Sequence, residues 1–262
     1  MTQAADTHAR YPTLSGGQYA FFFDVDGTLA AIQSRPEAVF IPEQVIAQLQ
    51  QLSALSQGAL ALVSGRPIEQ LDALAAPWYG PAAGVHGAER RDAEGNLQRI
   101  SLPVEVEQSL RAELQNAMAS WPGTQLEVKG MAFALHYRQA MQHEQDVMRL
   151  AAQSVKRFPG LALQPGKCVV EIKPAGIDKG AAISDFMQQP PFAGRTPVFI
   201  GDDLTDEKGF LAVNARQGVS IKVGEGSTQA HYRLHDVDAV YGWLERTLLL
   251  SDQDNVGKEF RL

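Results

Sequence analysis

The chain has 262 residues, of which 45% are hydrophobic and 20% charged, with a formal charge of -7. That composition suits a globular protein with one large or two modest apolar cores, and the acidic balance argues against a sequence-independent nucleic-acid binder, which needs clustered Lys and Arg. A lone cysteine, Cys168, excludes an intramolecular disulfide framework and a cysteine-rich zinc site.

In chain order, the first 18 residues, MTQAADTHARYPTLSGGQ, contain no continuous apolar core of a signal peptide. They predict a short mobile arm. No later run approaches the roughly 20 apolar residues of a membrane span. The expectation is a cytoplasmic monomer without a membrane or nucleic-acid partner.

FFFDV, beginning at residue 21, reads as a strand buried on both faces. After Pro42 the segment EQVIAQLQQLSAL has helical spacing, and ALALVSG predicts a second buried strand ending at Ser64-Gly65-Arg66. AAGVHG is strand-like, and Glu94-Gly95-Asn96 marks a hairpin turn. The texture then changes. EQSLRAELQNAMASW and EQDVMRLAAQSVKRF predict helices, LEVKGMAFALHYR predicts two strands around Gly130, and LALQPGKCVVEIK predicts a hairpin around Pro165-Gly166. Parallel-sheet texture returns with a helix from Asp178, the strand TPVFIGDD, a helix after Asp206, the strand VSIKVG and a closing helix around VYGWLERTLLL. The expected fold is α/β: a doubly wound, Rossmann-like parallel-sheet core of residues 1–105 and 174–262, with an α+β cap at 106–173 and hinges near 105 and 174.

Three core strands end in polar clusters, DVDGT, SGR and GDD. In an open α/β sheet, ligands bind outside the carboxyl ends of the strands, so these clusters should meet. Asp24 and Asp26 brought near Asp202 and Asp203 would repel strongly without a positive charge between them, and an all-oxygen donor set suits Mg²⁺ better than Zn²⁺. Lys179 at a helix start, where the dipole already favours negative charge, makes sense beside an anion. With Ser64 and its turn, the ingredients are those of phosphoryl transfer onto a carboxylate.

DVDGT, SGR, a lysine and GDDLTDE, in that order, resemble the haloacid-dehalogenase-like phosphatases across almost the whole chain. GVHGAERR, LEVKGMAFALHYR and GKCVVEIKPAG are similar to segments of the bacterial trehalose-6-phosphate phosphatases. The resemblance implies an Mg²⁺-dependent core closed over by the cap, hydrolysing trehalose 6-phosphate in the last step of trehalose synthesis. By residue, it implies Asp24 as nucleophile forming an aspartyl phosphate and Asp26 as general acid, then base. The same resemblance implies that Asp24, the Asp26 carbonyl and Asp202 hold the metal, that Asp203 and Asp206 orient metal waters or Lys179, and that Ser64, Gly65, Arg66 and Lys179 bind phosphate. Glu127 and Lys129, two apart on one strand, and Glu171 on the other hairpin are implied to grip sugar hydroxyls.

Arg66 has a structural reading of equal standing, and His86 and His136 read as packed or hydrogen-bonding residues, with His86 also able to line the cleft. Cys168 reads as a small hydrophobe on a strand. Two rivals stay open: the same chemistry on another sugar phosphate, and a sugar-phosphate sensor without turnover. The second would require a lost nucleophile, acid or metal ligand, and none is missing.

Overall fold

The computed structural model describes residues 14, 18–33, 35, 38–129 and 131–259, with the side chains of 129 and 251–259 excepted. Most of the expected N-terminal arm, Gly130 and the Lys129 side chain therefore lie outside the described residues. The chain divides into two compact units, Met1–Leu97 with Asp178–Leu262, and Gln98–Ile177. Among the described residues, no helix is long and apolar enough to cross a membrane.

The FFF run explains the first unit. Along β1 (Tyr19–Phe23) successive side chains alternate between faces. Phe21 and Phe23 enter one core, and Phe22 enters a second on the other face. The first core is closed by α1 (Glu43–Leu55), α2 (Ile68–Ala75) and α7 (Val237–Glu259), where Trp243 meets Phe21 and Phe23 edge-on at 6.4 and 6.2 Å between ring centroids. The second is closed by α5 (Lys179–Phe186) and α6 (Glu207–Asn214) through Ile183, Phe186 and Phe210. Each fully buried Phe contributes about 1.5–3 kcal/mol from burial, so only an apolar strand can occupy this position.

β1 pairs in parallel with β2 (Leu60–Val63) on one side and β10 (Thr196–Gly201) on the other. The sheet continues in parallel through β3 (Ala82–Gly84) beyond β2, and through β11 (Val219–Val223) and β12 (Tyr232–Leu234) beyond β10. β4 (Glu89–Arg91) joins β3 antiparallel, and β5 (Leu97–Arg99) ends the order β12-β11-β10-β1-β2-β3-β4-β5. The chain steps outward from β1 in both directions, which puts the reversal of strand order, and hence the ligand crevice, at the carboxyl end of β1. Asp24 and Val25, read from sequence as part of the first strand, lie just past that end, and the short strand β12 carries no sequence pattern that announced it.

The second unit packs α3 (Val104–Met118) and α4 (Glu144–Arg157) on an antiparallel sheet of order β6-β7-β9-β8, with β6 Gln125–Lys129, β7 Ala132–His136, β8 Leu161–Gly166 and β9 Val169–Pro174. Leu110, Leu114, Phe133, Leu135, Val147, Val170 and Ile172 form its core. One hairpin differs from expectation. Pro165 and Gly166 belong to β8, Gly166 pairs with Val169, and the turn is Lys167-Cys168. Pro165 is tolerated because β8 is an edge strand. Cys168 is accordingly a turn residue with φ 63°, not a strand residue, although it still packs against the core.

Candidate active site

The three polar clusters converge as chain topology requires: Lys179 ties the first to the acidic loop after β10, and Arg66 ties the second to the first. Asp178 caps α5 by accepting from the Ala181 N–H at 2.8 Å, which sets Lys179 in the first turn of the helix. The Lys179 ammonium, 2% exposed, lies 2.8 Å from Asp24 Oδ1 and 2.6 Å from Asp206 Oδ1. The anions at this helix start are thus carboxylates of the chain itself. Burial would by itself lower the lysine's proton affinity, but Asp206 and Asp24 outweigh it and hold the ammonium well above its usual range.

Asp206 is fully buried and uses both oxygens. Oδ1 takes the Lys179 ammonium, and Oδ2 accepts the backbone N–H groups of Asp202 and Asp203, each at 2.9 Å. The exposed Asp203 returns the contact, its side chain accepting from the Asp206 N–H in a capping box. Of the two residues expected to orient others, Asp206 is therefore the one that sets Lys179 and the Asp202 backbone. Lys222, a buried lysine on β11 that sequence reasoning passed over, donates its ammonium to the Asp202 carbonyl. Its signal was a charged residue inside the apolar run VSIKV.

Asp24, Asp202 and Asp206 offer carboxylate oxygens that all lie within 4.8 Å of one another. Burial, followed by the charges of Asp206 and Asp202, pushes Asp24 well above the carboxylate range against the pull of Lys179. Burial and Asp206 likewise push Asp202 up to about 6, against hydrogen bonding with Asp24 and the pull of Lys179. Oδ1 of Asp202 is buried with no hydrogen-bond partner. Gly27, at φ 80°, makes room for this carboxylate, since a Cβ there would stand 2.1 Å from Asp202 Oδ2. A hard divalent cation fits this donor set, because it meets the orphaned oxygen and offsets both the burial and the mutual repulsion that raise the two carboxylates.

Asp26 is half-buried and gripped by Arg66 at both oxygens, with Nε 2.6 Å from Oδ2 and an Nη 2.7 Å from Oδ1. Ser64, 1% exposed at the end of β2, accepts the Arg66 N–H on its hydroxyl at 3.2 Å. Gly65 joins the two. The structure thus places Arg66 on Asp26, a partner that sequence spacing did not indicate.

In the second unit, register aligns Glu127, Ala134, Glu171 and Gln164 in one row across four strands. Ala134 stands between Glu127 and Glu171 in that row, so a small residue separates the two carboxylates. Glu171 and Lys173 are buried, and Lys173 donates to Gln164. His136 Nε2 contacts Glu127 Oε2 at 2.9 Å, so His136 is a hydrogen-bonding residue. Gln164 and Lys173 escaped sequence reasoning because only strand register brings them beside Glu171.

The trehalose-phosphatase family model matches residues 22–238. Trehalose-6-phosphate phosphatase of Escherichia coli (strain K12) is 55% identical over 234 residues, covering 89% of this chain and 88% of that protein. Probable trehalose-phosphate phosphatase of Sinorhizobium fredii (strain NBRC 101917 / NGR234) is 45% identical over 207 residues, covering 79% and 78%. The solved C-terminal domain of C. albicans trehalose-6-phosphate phosphatase shares the fold at a TM-score of 0.75 and 22% identity, with 90% of this chain and 92% of that one covered. With the family model spanning most of its length and relatives this similar, the chain belongs to the trehalose-phosphatase family.

Proposed function

We propose that the chain hydrolyses trehalose 6-phosphate to trehalose and inorganic phosphate, the final step of trehalose synthesis, through a phosphorylated Asp24 and with Mg²⁺ as its cofactor. The observation that carries this reading is the buried Asp24 at the carboxyl end of β1, paired with Lys179 beside two further carboxylates, in a chain of this family.

Asp24, Asp202 and the Asp26 carbonyl would hold the cation, which would supply positive charge to the transferring phosphoryl group. Asp24 attacks phosphorus and Asp26 protonates the leaving sugar oxygen. Asp26 next takes a proton from the water that attacks the aspartyl phosphate, so one residue serves both displacements. The Arg66 fork occupies both Asp26 oxygens in the resting protein, so one must be released before that carboxyl can donate. Ser64 and Lys179 seat the phosphate. Asp206 keeps the ammonium aimed and the Asp202 loop closed.

Residues 106–173 act as the cap that selects the sugar. Glu127 and Glu171 accept from hydroxyls and Lys129 donates, a set suited to a neutral disaccharide. The working form is a cytoplasmic monomer.

Phosphate release from trehalose 6-phosphate, sucrose 6-phosphate and glucose 6-phosphate, each with Mg²⁺ and with EDTA, tests the reading. Mg²⁺-dependent release confined to the trehalose ester is expected. Comparable release from all three esters would keep the chemistry and remove the assigned specificity, and no release from any would overturn the proposal.

A further inference from the structure

The turn after β3 holds two consecutive non-glycine residues in left-handed backbone, Val85 at φ 48° and His86 at φ 57°. For a β-branched residue such as Val85 this is a genuine outlier. Strain of this kind persists only where the surroundings over-determine it, and it concentrates at functional sites. Both residues are buried. Their strained backbone directs two donors onto the loop after β2: the Val85 N–H reaches the Arg66 carbonyl at 3.0 Å, and the His86 N–H reaches the Ser64 carbonyl at 2.9 Å.

Between those two carbonyls lies Gly65, and the His86 imidazole rests on it. A Cβ at Gly65 would stand 2.8 Å from the ring's Cε1 and 2.9 Å from Nε2. The next residue, Gly87, faces the helix that carries Lys179, because a Cβ there would meet Ala182 at 3.0 Å and the Asp178 carbonyl at 3.3 Å. The turn 85–87 therefore touches both elements assigned to the phosphate seat, the Ser64 loop on one side and the first turn of α5 on the other.

We infer that His86 is a positioning residue, whose ring and backbone set the distance between the Ser64 hydroxyl and the Lys179 ammonium without touching the phosphoryl group. The inference rests on the assignment of Ser64 and Lys179 as the phosphate seat. A shift of about 1 Å between two such groups can reduce a rate by as much as about a hundredfold.

The test compares Ser64→Ala, His86→Ala and His86→Asn in the full chain. Three quantities are read beside kcat/KM: the inhibition constant of inorganic phosphate, the Mg²⁺ activation constant and the melting temperature. His86→Asn matters because asparagine tolerates left-handed backbone, so it removes the ring and keeps the turn. Both His86 variants should weaken phosphate inhibition about tenfold and lower kcat/KM by about ten- to a hundredfold, while the Mg²⁺ activation constant stays at the parent's value. His86→Asn should also melt with the parent. Unchanged phosphate inhibition in His86→Asn, with Ser64→Ala impaired, would overturn the inference alone. Unchanged inhibition in Ser64→Ala would overturn the phosphate seat and this inference with it. A His86→Asn variant whose Mg²⁺ activation shifts as much as its phosphate inhibition would also overturn it, since the defect would then not be confined to the phosphate side.

Discussion

In the first unit the charged groups assigned to chemistry stand just beyond the carboxyl ends of β1, β2 and β10, whereas in the second unit Glu127 and Glu171 stand mid-strand on an antiparallel sheet. The settings differ in what they cost. Lys179 is sealed between Asp24 and Asp206, and a buried charge is tolerable only while its partners remain. The Glu127–His136 pair leaves side chains 44% and 38% exposed, where water already screens the interaction. The first arrangement would tie stability, metal affinity and chemistry to the same atoms, while in the second only the Glu127–His136 pair is open to water and Glu171 and Lys173 are buried.

The sharpest way to break this contrast is Asp24→Asn, which should lower turnover by about 10⁴-fold or more while circular dichroism stays native. Retained activity would remove Asp24 as nucleophile. Lys179→Met comes next. It strands Asp24 and Asp206 without their cation, so urea unfolding should register a loss of about 3–5 kcal/mol, and a change near zero would show that the charges relax into water.

The metal-free protein provides a third test. Asp202 titrates at about 6 in the fold against 3.8 for its ordinary value, so its neutral form is favoured by folding. That contribution, on the order of 3 kcal/mol at most, is fully present below pH 3.8 and lost as pH rises to about 6. In EDTA the melting temperature should carry this downward component across that window, with Asp24 adding to it in the same direction. Mg²⁺ should reverse the loss at neutral pH, and Asp202→Asn should flatten it. A metal-free Asp202→Asn protein with the parent's pH profile would contradict the assignment.

On the second unit, Glu171→Gln and Glu127→Gln should each cost about ten- to a hundredfold in kcat/KM for trehalose 6-phosphate. Hydrolysis of p-nitrophenyl phosphate, which has no sugar, should be unaffected. Equal losses on both substrates would erase the division between the units. Least of all, His136→Ala should change stability by under about 1 kcal/mol in urea unfolding.

Much of this was legible in residue order. FFF predicted a strand buried on both faces because alternate side chains must each meet an apolar layer, and DVDGT, SGR and GDD at strand ends predicted a common crevice. The helix at Lys179 was placed correctly and Asp203 or Asp206 was expected beside its lysine, but which of the two takes the ammonium, and that Asp24 shares it, was not legible, since Asp206 lies 27 residues away and faces it only once α5 and the acidic loop pack together. The hairpin turn at Lys167-Cys168 was missed because Pro165-Gly166 is the stronger turn signal, and an edge strand tolerates both residues. Gln164, Lys173 and Lys222 carry no motif and acquire a role only through register or a long-range contact.

Local pattern by itself determined the parallel core, the inserted α+β segment and the identity of the acidic residues, because periodicity, turn residues and strand-end clusters are properties of neighbours in sequence. Tertiary structure alone decided which charges share a proton or a cation. It also decided which carboxylates are raised and how Val85-His86 bears on Gly65. Burial and electrostatic coupling depend on distances in space, and these segments lie far apart along the chain.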